Sequence, residues 1–240
     1  MRNAIVLAAG KGTRMHSDLP KVLHKIGDMP MAELIVKNLK RCGAERIVTV
    51  VGYGREEVMK VLEGQCDFAV QEPQLGTGHA VMCAADQLGQ EGETLILCGD
   101  TPLVTADTLQ KLCEAHRAAG NGVTVLSAIL EDPTGYGRII RDRDGAFLKI
   151  TEHKDCTEEE RATKEINAGM YLFDTAMLQD SLGKLTNDNA QGEYYLTDTI
   201  ALIKEAGGRV DAMPVSDTNE ILGVNTKLQL AEAERIMSNR

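Results

Sequence analysis

A chain of 240 residues with a formal net charge of −10 is long enough for one large α/β domain or two small ones. That charge argues against a nucleic-acid binder, because no basic stripe is left to follow a phosphate backbone, yet it leaves room for a nucleotide balanced by a metal ion and a few lysines. Hydrophobic residues make up 43% and aromatics 3%, with no Trp, so Leu, Ile, Val and Ala must build the core.

In chain order, the apolar run Ala4–Leu7 reads as a buried strand that opens into Ala8, Ala9, Gly10 and Gly12. These residues carry almost no side chain, so a flat base or a phosphate can approach the backbone N–H groups. Lys11, Arg14 and Lys21 bring positive charge to the same strand end. Residues 1–26 hold five Lys or Arg against one Asp, a local excess that suits an anion. The common phosphate loops do not fit. A Walker A loop needs Gly-Lys-Ser or Gly-Lys-Thr, which are absent, and Met15 stands where a dinucleotide fingerprint needs its third glycine.

Further on, Arg46–Val51, Asp67–Val70, Thr94–Cys98 and Val123–Leu130 read as strands. Met31–Cys42, Glu56–Glu63, Gly78–Leu88 and Thr105–Ala119 show helical spacing, the last with Thr105 as N-cap and Gly120 just past its end. The alternation predicts an α/β fold: a Rossmann-like, mostly parallel twisted sheet with helices on both faces. Ligands of such sheets sit beyond the carboxyl ends of the strands, here after Leu7, Val70 and Cys98. Arg138–Arg141 and Ala146–Thr151 flank the turn Asp142–Gly145 and predict a β-hairpin, a small subdomain beside the sheet. Thr157–Arg161 reads as a solvated helix or loop, Ile166–Phe173 as a buried strand, and Leu228–Met237 as an amphipathic helix. We place a main domain at 1–227 and a C-terminal helix at 228–240.

The six cysteines (Cys42, Cys66, Cys83, Cys98, Cys113, Cys156) show no C-x-x-C spacing, so zinc is not expected and reduced thiols are. No run approaches the ~20 apolar residues of a membrane span, and no signal peptide is expected, which makes cytoplasm the default.

The segment Leu7-Ala8-Ala9-Gly10 through Gly12-Thr13-Arg14-Met15, followed by Pro20-Lys21, resembles the sugar-nucleotide pyrophosphorylases (nucleotidyltransferases). The later motifs narrow the match: Gln71–Ala80, Asp132–Ile139, Glu152–Asp155, Glu165–Gly169, Asn189–Tyr195 and Gly223–Asn225. In that order they look like the uridyltransferase domain of the bacterial bifunctional N-acetylglucosamine-1-phosphate uridyltransferases/glucosamine-1-phosphate acetyltransferases. The resemblance runs from about residue 3 to the C-terminus, and hexapeptide repeats of an acetyltransferase domain are absent from the chain. It implies transfer of UMP from UTP to N-acetylglucosamine 1-phosphate, giving UDP-N-acetylglucosamine and pyrophosphate, with Mg²⁺ as cofactor and a homo-oligomer left open.

A carboxylate at a strand end beside Gly99 suits a hard cation, which points to Asp100 as a Mg²⁺ ligand; the resemblance adds Asn225 as the second protein oxygen. Arg14 is assigned to the triphosphate and Lys21 to the phosphates of substrate and product, as the catalytic pair. Leu7, Ala8, Ala9 and Gly10 would border the nucleotide. Gln71, with one donor and one acceptor, complements uracil beside Gly76 and Thr77. The resemblance puts Gly137, Glu152 and Asn167 against the sugar. Cys98 stands where the family often carries tyrosine, a departure expected to alter the grip on the sugar. His16, His24 and His79 are left to structural roles or to supporting the residues that touch the ligand. Two rival functions remain: a uridylyl- or thymidylyltransferase acting on glucose 1-phosphate, against which Gly135–Gly137 and Glu165–Asn167 argue, and a catalytically silent nucleotide-sugar-binding domain, against which Arg14, Lys21, Asp100 and Asn225 argue.

Overall fold

Alternation along the first strand sets the architecture. In the computed structural model, which describes residues 2–189 and 191–240, β1 (Arg2–Ala8) turns Ala4, Val6 and Ala8 to one apolar layer and Ile5 to another. Met1 and Ala190, the latter inside the Asn189–Tyr195 motif, lie outside the described residues. Burial on both faces explains why the strand reads as a continuous apolar run.

The chain continues through β2 (Lys25–Ile26), β3 (Met29–Pro30), α1 (Met31–Arg41), β4 (Arg46–Val51), α2 (Arg55–Val61), β5 (Asp67–Val70), α3 (Thr77–Ala85), β6 (Glu93–Cys98) and α4 (Ala106–Ala119). Then follow β7 (Val123–Ile129), β8 (Arg138–Arg141), β9 (Phe147–Thr151), α5 (Glu158–Arg161), β10 (Glu165–Asp174), α6 (Thr175–Leu182), α7 (Asp198–Glu205), β11 (Val210–Pro214) and α8 (Lys227–Ser238). The main sheet runs β11-β7-β10-β6-β1-β4-β5. Within this path β10 alone is antiparallel to its neighbours; β1 pairs in parallel with both β4 and β6, and β11 with β7. The expected mostly parallel sheet is therefore observed, and the expected hairpin forms as β8 and β9, joined to the sheet where Arg138 pairs with Ile166.

One face carries α1, α2 and α4, whose Ile35, Leu39, Val58, Leu109 and Leu112 pack on Val6, Leu95 and Leu97. The other carries α3, α6 and α7, with Val81, Ala84, Leu178, Ile200 and Ile203 against Ile5, Ile96 and Phe173. Helix ends follow local chemistry. Thr105 Oγ1 accepts from the Thr108 N–H at 3.2 Å, and Gly120 closes α4 at φ 61°, a left-handed turn that glycine enters without steric cost. Helices α6 and α7 and strand β11 had no counterpart in the sequence reading. Their short runs lack a clear period, and the sheet and neighbouring helices supply the burial that fixes them.

Helix α8 does not stand away from the body. Ala233 and Ile236 are buried in a third apolar cluster with Ile26, Met31, Leu103 and Val224, so α8 braces the strand pair β2–β3 and the loop beyond β6. Among the described residues no helix is long and apolar enough to cross a membrane.

Ile5 is fully buried at the middle of an interior strand, so Ile5→Ala is expected to destabilise the fold by about 2–5 kcal/mol. A denaturant titration checks this; the slope should match wild type while the midpoint falls.

Candidate active site

Because β1, β4 and β6 are parallel and in register, their carboxyl ends open at one edge. Leu7 sits opposite Val50 and Cys98, and the Gly99 N–H donates to the Leu7 carbonyl at 2.9 Å. The chain leaves β1 for β4 on one side and later returns to β6 on the other, so the crevice between β1 and β6 is the switch point where such sheets take ligands. A cleft of about 330 Å³ lies there, bordered by Leu7, Ala8, Ala9, Gly10, Lys21, Gln71, Gly76, Thr77, Cys98 and Asp100. Ten residues singled out in the sequence thus meet around one cavity.

Two loops beyond strand ends carry the charged centre. Lys21 opens a short 3₁₀ turn after Pro20, and its Nζ donates to Asp100 Oδ2 at 2.6 Å and to Asn225 Oδ1 at 2.9 Å. Asn225 arrives there because the Val224 N–H donates to the Asp100 carbonyl at 2.7 Å, which ties the two loops together. It is held further by the start of α8: Gln229 Oε1 accepts from the Asn225 N–H at 2.9 Å, while Thr226 Oγ1 caps the helix by accepting from the Gln229 N–H. A carboxylate oxygen and an amide oxygen therefore converge on one cationic point. Mg²⁺ takes few protein oxygens and completes its octahedron with waters and phosphates, so this donor pair fits it. Among the described residues there is no group of three or more His, Cys, Asp and Glu side chains able to hold a metal, which sets this site apart from an all-protein cage.

Glycines shape the rim where contact demands them. Gly12 lies at φ 63°, and a Cβ there would come within 2.5 Å of Lys21 Cβ, so the bare backbone makes room for the lysine stem. Gly76, at φ 107°, leaves no room for a side chain against the Tyr194 carbonyl. That carbonyl accepts from the Gly78 N–H at 2.8 Å, and Thr77 Oγ1 accepts from the Leu196 N–H at 3.1 Å. Thr77 is thus tied to the Tyr194–Leu196 segment, which caps the start of α3.

Gln71 is buried at the end of β5, where its Nε2 donates to the Gly76 carbonyl at 2.9 Å and lies 3.3 Å from His79 Nδ1. Its amide nitrogen is therefore engaged by protein groups. Gln74 and Glu193 also line the cleft, and Gln74 Nε2 donates to the Ala9 carbonyl across it. Both residues fall inside the quoted motifs without an assigned role; for Gln74 the available signal is a polar side chain between the Pro and Gly of a strand-end loop, and Glu193 offers no such local signal.

The expected sugar-side residues form their own connected set. A bulge in β10 between Asn167 and Met170 lets Asn167 Oδ1 accept from the Gly169 N–H at 2.9 Å, while Asn167 Nδ2 reaches Tyr171 Oη at 2.8 Å. The Asn167 N–H donates to the Gly137 carbonyl at 2.9 Å, and Glu152 comes close enough to Gly137 that a Cβ there would lie 3.4 Å from the carboxylate. Cys98 links this set to the cleft through its Sγ, 3.4 Å from the Gly169 carbonyl. Burial first, then the Asp100 charge, pushes the Cys98 thiol up to about 12, so it stays neutral. Burial also raises the Glu152 carboxyl, assisted by the Asp155 charge. Arg14 stands apart: it is exposed in the 3₁₀ turn Thr13–Met15 and does not line the cleft. Lys11 is exposed as well, with Nζ 5.5 Å from the Tyr53 ring centre.

With this geometry in hand, comparison with known proteins is decisive at the level of family. The model of the MobA-like NTP transferase domain matches residues 4–164. The chain belongs to that family. It is similar along its whole length to the bifunctional protein GlmU of Geobacillus thermodenitrificans, at 53% identity, and over 99% of its length to that of Caldanaerobacter subterraneus, at 52%. In both cases it covers 52% of the relative, so the chain spans about half the length of the curated relatives it matches. The fold is similar to the crystal structure of a Bacillus anthracis protein named as a glucose-1-phosphate thymidylyltransferase. That match has a TM-score of 0.80 and covers 100% of this chain and 96% of the other; at 22% identity it speaks for the shared NTP-transferase fold alone.

The two glycines of the first loop should behave differently. Gly12→Ala is expected to cost ~1–2 kcal/mol, since it forces a left-handed backbone and displaces the Lys21 stem. Gly10→Ala, with nothing within 4 Å of the added Cβ, should change stability by less than about 0.5 kcal/mol. Paired denaturation curves separate the two.

Proposed function

We propose that the chain transfers UMP from UTP to N-acetylglucosamine 1-phosphate with the help of Mg²⁺, releasing UDP-N-acetylglucosamine and pyrophosphate. The observation that carries this reading is the convergence of Asp100 and Asn225 oxygens on the Lys21 ammonium at the mouth of a cleft walled by Gln71, Gly76 and Cys98. The ordered family motifs and the similarity to bifunctional GlmU proteins support it.

The sugar phosphate arrives already ionised, so its oxygen can attack the α-phosphorus without a protein nucleophile or general base. The chain's task is alignment and charge neutralisation. Ala8, Ala9 and Gly10 let the nucleotide lie against backbone, and Gln71, its amide nitrogen engaged by Gly76 and His79, offers its Oε1 to the uracil N3–H. Glu152, Asn167 and the Gly137 backbone hold the sugar on the other side of Cys98. Lys21 takes the phosphates at the reacting centre, and Arg14, exposed on its turn, reaches the triphosphate and follows charge onto the leaving pyrophosphate. Asp100 and Asn225 would hold Mg²⁺, which when bound neutralises triphosphate charge.

Pyrophosphate release measured across four nucleoside triphosphates and several sugar phosphates tests the assignment. UTP with N-acetylglucosamine 1-phosphate should be the fastest pair, and Asp100→Asn should lower kcat by ~10²–10³-fold in a protein that still folds. A faster reaction with glucose 1-phosphate or with dTTP would overturn the proposal.

The raised Glu152 carboxyl gives a pH signature. As pH falls, Glu152 takes up its proton sooner than an ordinary glutamate, so KM for the sugar phosphate should rise on the acid side, and Glu152→Gln should flatten that limb. The sign for stability is the reverse of a salt-bridged acid. With a folded pKa above the unfolded one, wild type loses stability relative to Glu152→Gln as pH rises through this range, which melting curves across pH would show.

A further inference from the structure

Lys21 occupies the point between two hard oxygens, 2.6 Å from Asp100 and 2.9 Å from Asn225. The Lys21 and Asp100 side chains are only 15% and 20% exposed, so the ion pair is shielded from water and its charge-assisted hydrogen bond is stronger than that of a surface pair. The base of the lysine is fixed by Pro20 and by the close backbone of Gly12, while its four-carbon stem can still swing. Lys21 also lines the cleft itself.

We propose that the Lys21 ammonium is the exchangeable counter-cation of the metal position: it neutralises Asp100 and satisfies Asn225 until a divalent cation takes the same two oxygens, and then moves to the anion in the cleft. The inference rests on the reading of Asp100 and Asn225 as the cation's protein ligands. An ammonium and a divalent cation cannot share those oxygens, because two positive centres a few ångström apart repel strongly in a partly buried site. Entry of one therefore requires departure of the other. Metal arriving alone must break the ion pair and leaves Lys21 without a partner. Metal arriving with a triphosphate offers the ammonium a new anion. The two ligands should consequently bind with positive coupling, and the coupling is reciprocal.

The test measures Mn²⁺ binding without nucleotide, by the loss of the free-ion electron paramagnetic resonance signal, in wild type and in Lys21→Met, which keeps the stem and removes the charge. If the ion pair holds the oxygens in about nine molecules of ten, the variant should bind Mn²⁺ ~tenfold more tightly than wild type. Adding Asp100→Asn to Lys21→Met should abolish that gain. Equal or weaker binding by Lys21→Met, or no binding by either protein, overturns the exchange. A second measurement uses the unaltered chain and decides the matter if Lys21→Met does not fold. Mg²⁺ alone should raise the rate at which an amine-acylating reagent labels Lys21, read by mass spectrometry of the peptide, and an unchanged rate overturns the proposal. Both measurements lack substrate, so a failure of the proposed transfer reaction shows separately, as absent pyrophosphate release by wild type with Mg²⁺ present.

Discussion

Parallel hydrogen bonding on both sides of β1 is the constraint from which the cleft follows. Parallel neighbours in register must end at the same edge, so Ala8, Val51 and Cys98 leave the sheet together and the loops after them crowd into one space. The order in which the chain visits β4 and then β6 opens that space between β1 and β6 instead of closing it with a connection. Small residues at the end of β1 keep the floor of the crevice low. The helices on each face supply the burial that holds the strands in this register.

Onto that frame the fold adds one ionic node. Residues far apart in sequence, Lys21, Asp100 and Asn225, are joined by two hydrogen bonds of 2.6 and 2.9 Å. The backbone bond from Val224 to Asp100 and the cap of α8 bring the last partner in. The C-terminal helix thereby has two roles at once. Its apolar face completes a small core with Ile26, Met31 and Leu103, and its first turn, through Gln229, orients Asn225. Packing in one place sets the geometry of a polar group in another.

The set of Gly137, Glu152 and Asn167 is built by a different device. A bulge in the only antiparallel strand of the main path turns Asn167 and Gly169 away from regular pairing and places Gly169 against Cys98. The hairpin β8–β9 brings Gly137 and Glu152 to the same neighbourhood. A half-buried carboxylate with a raised pKa, a neutral thiol and an amide in a bulge make this set chemically quieter than the ionic node. The asymmetry suits the proposed transfer, which needs charge neutralised on one side and sugar hydroxyl groups recognised on the other.

Much of this was legible in the residues alone. The apolar run Ala4–Leu7, the capped helix between Thr105 and Gly120 and the turn Asp142–Gly145 declare themselves because their signals are local: side-chain period, a hydroxyl acceptor, a left-handed glycine. The motifs likewise marked Lys21, Gln71 and Asp100, since a lysine after proline or a carboxylate after an apolar run and a glycine is visible in one dimension. Only the tertiary structure decided which of them touch. Asn225 reached the node through a helix cap and a backbone bond to a residue more than a hundred positions earlier. Gln71 acquired its direction from Gly76 and His79, Gln74 entered the cleft by bonding Ala9, and Arg14 stayed out on an exposed turn. Helices α6 and α7 and strand β11 were silent in the sequence for the same reason. Their burial comes from partners distant in the chain, and an interaction between distant partners leaves no period in either of them.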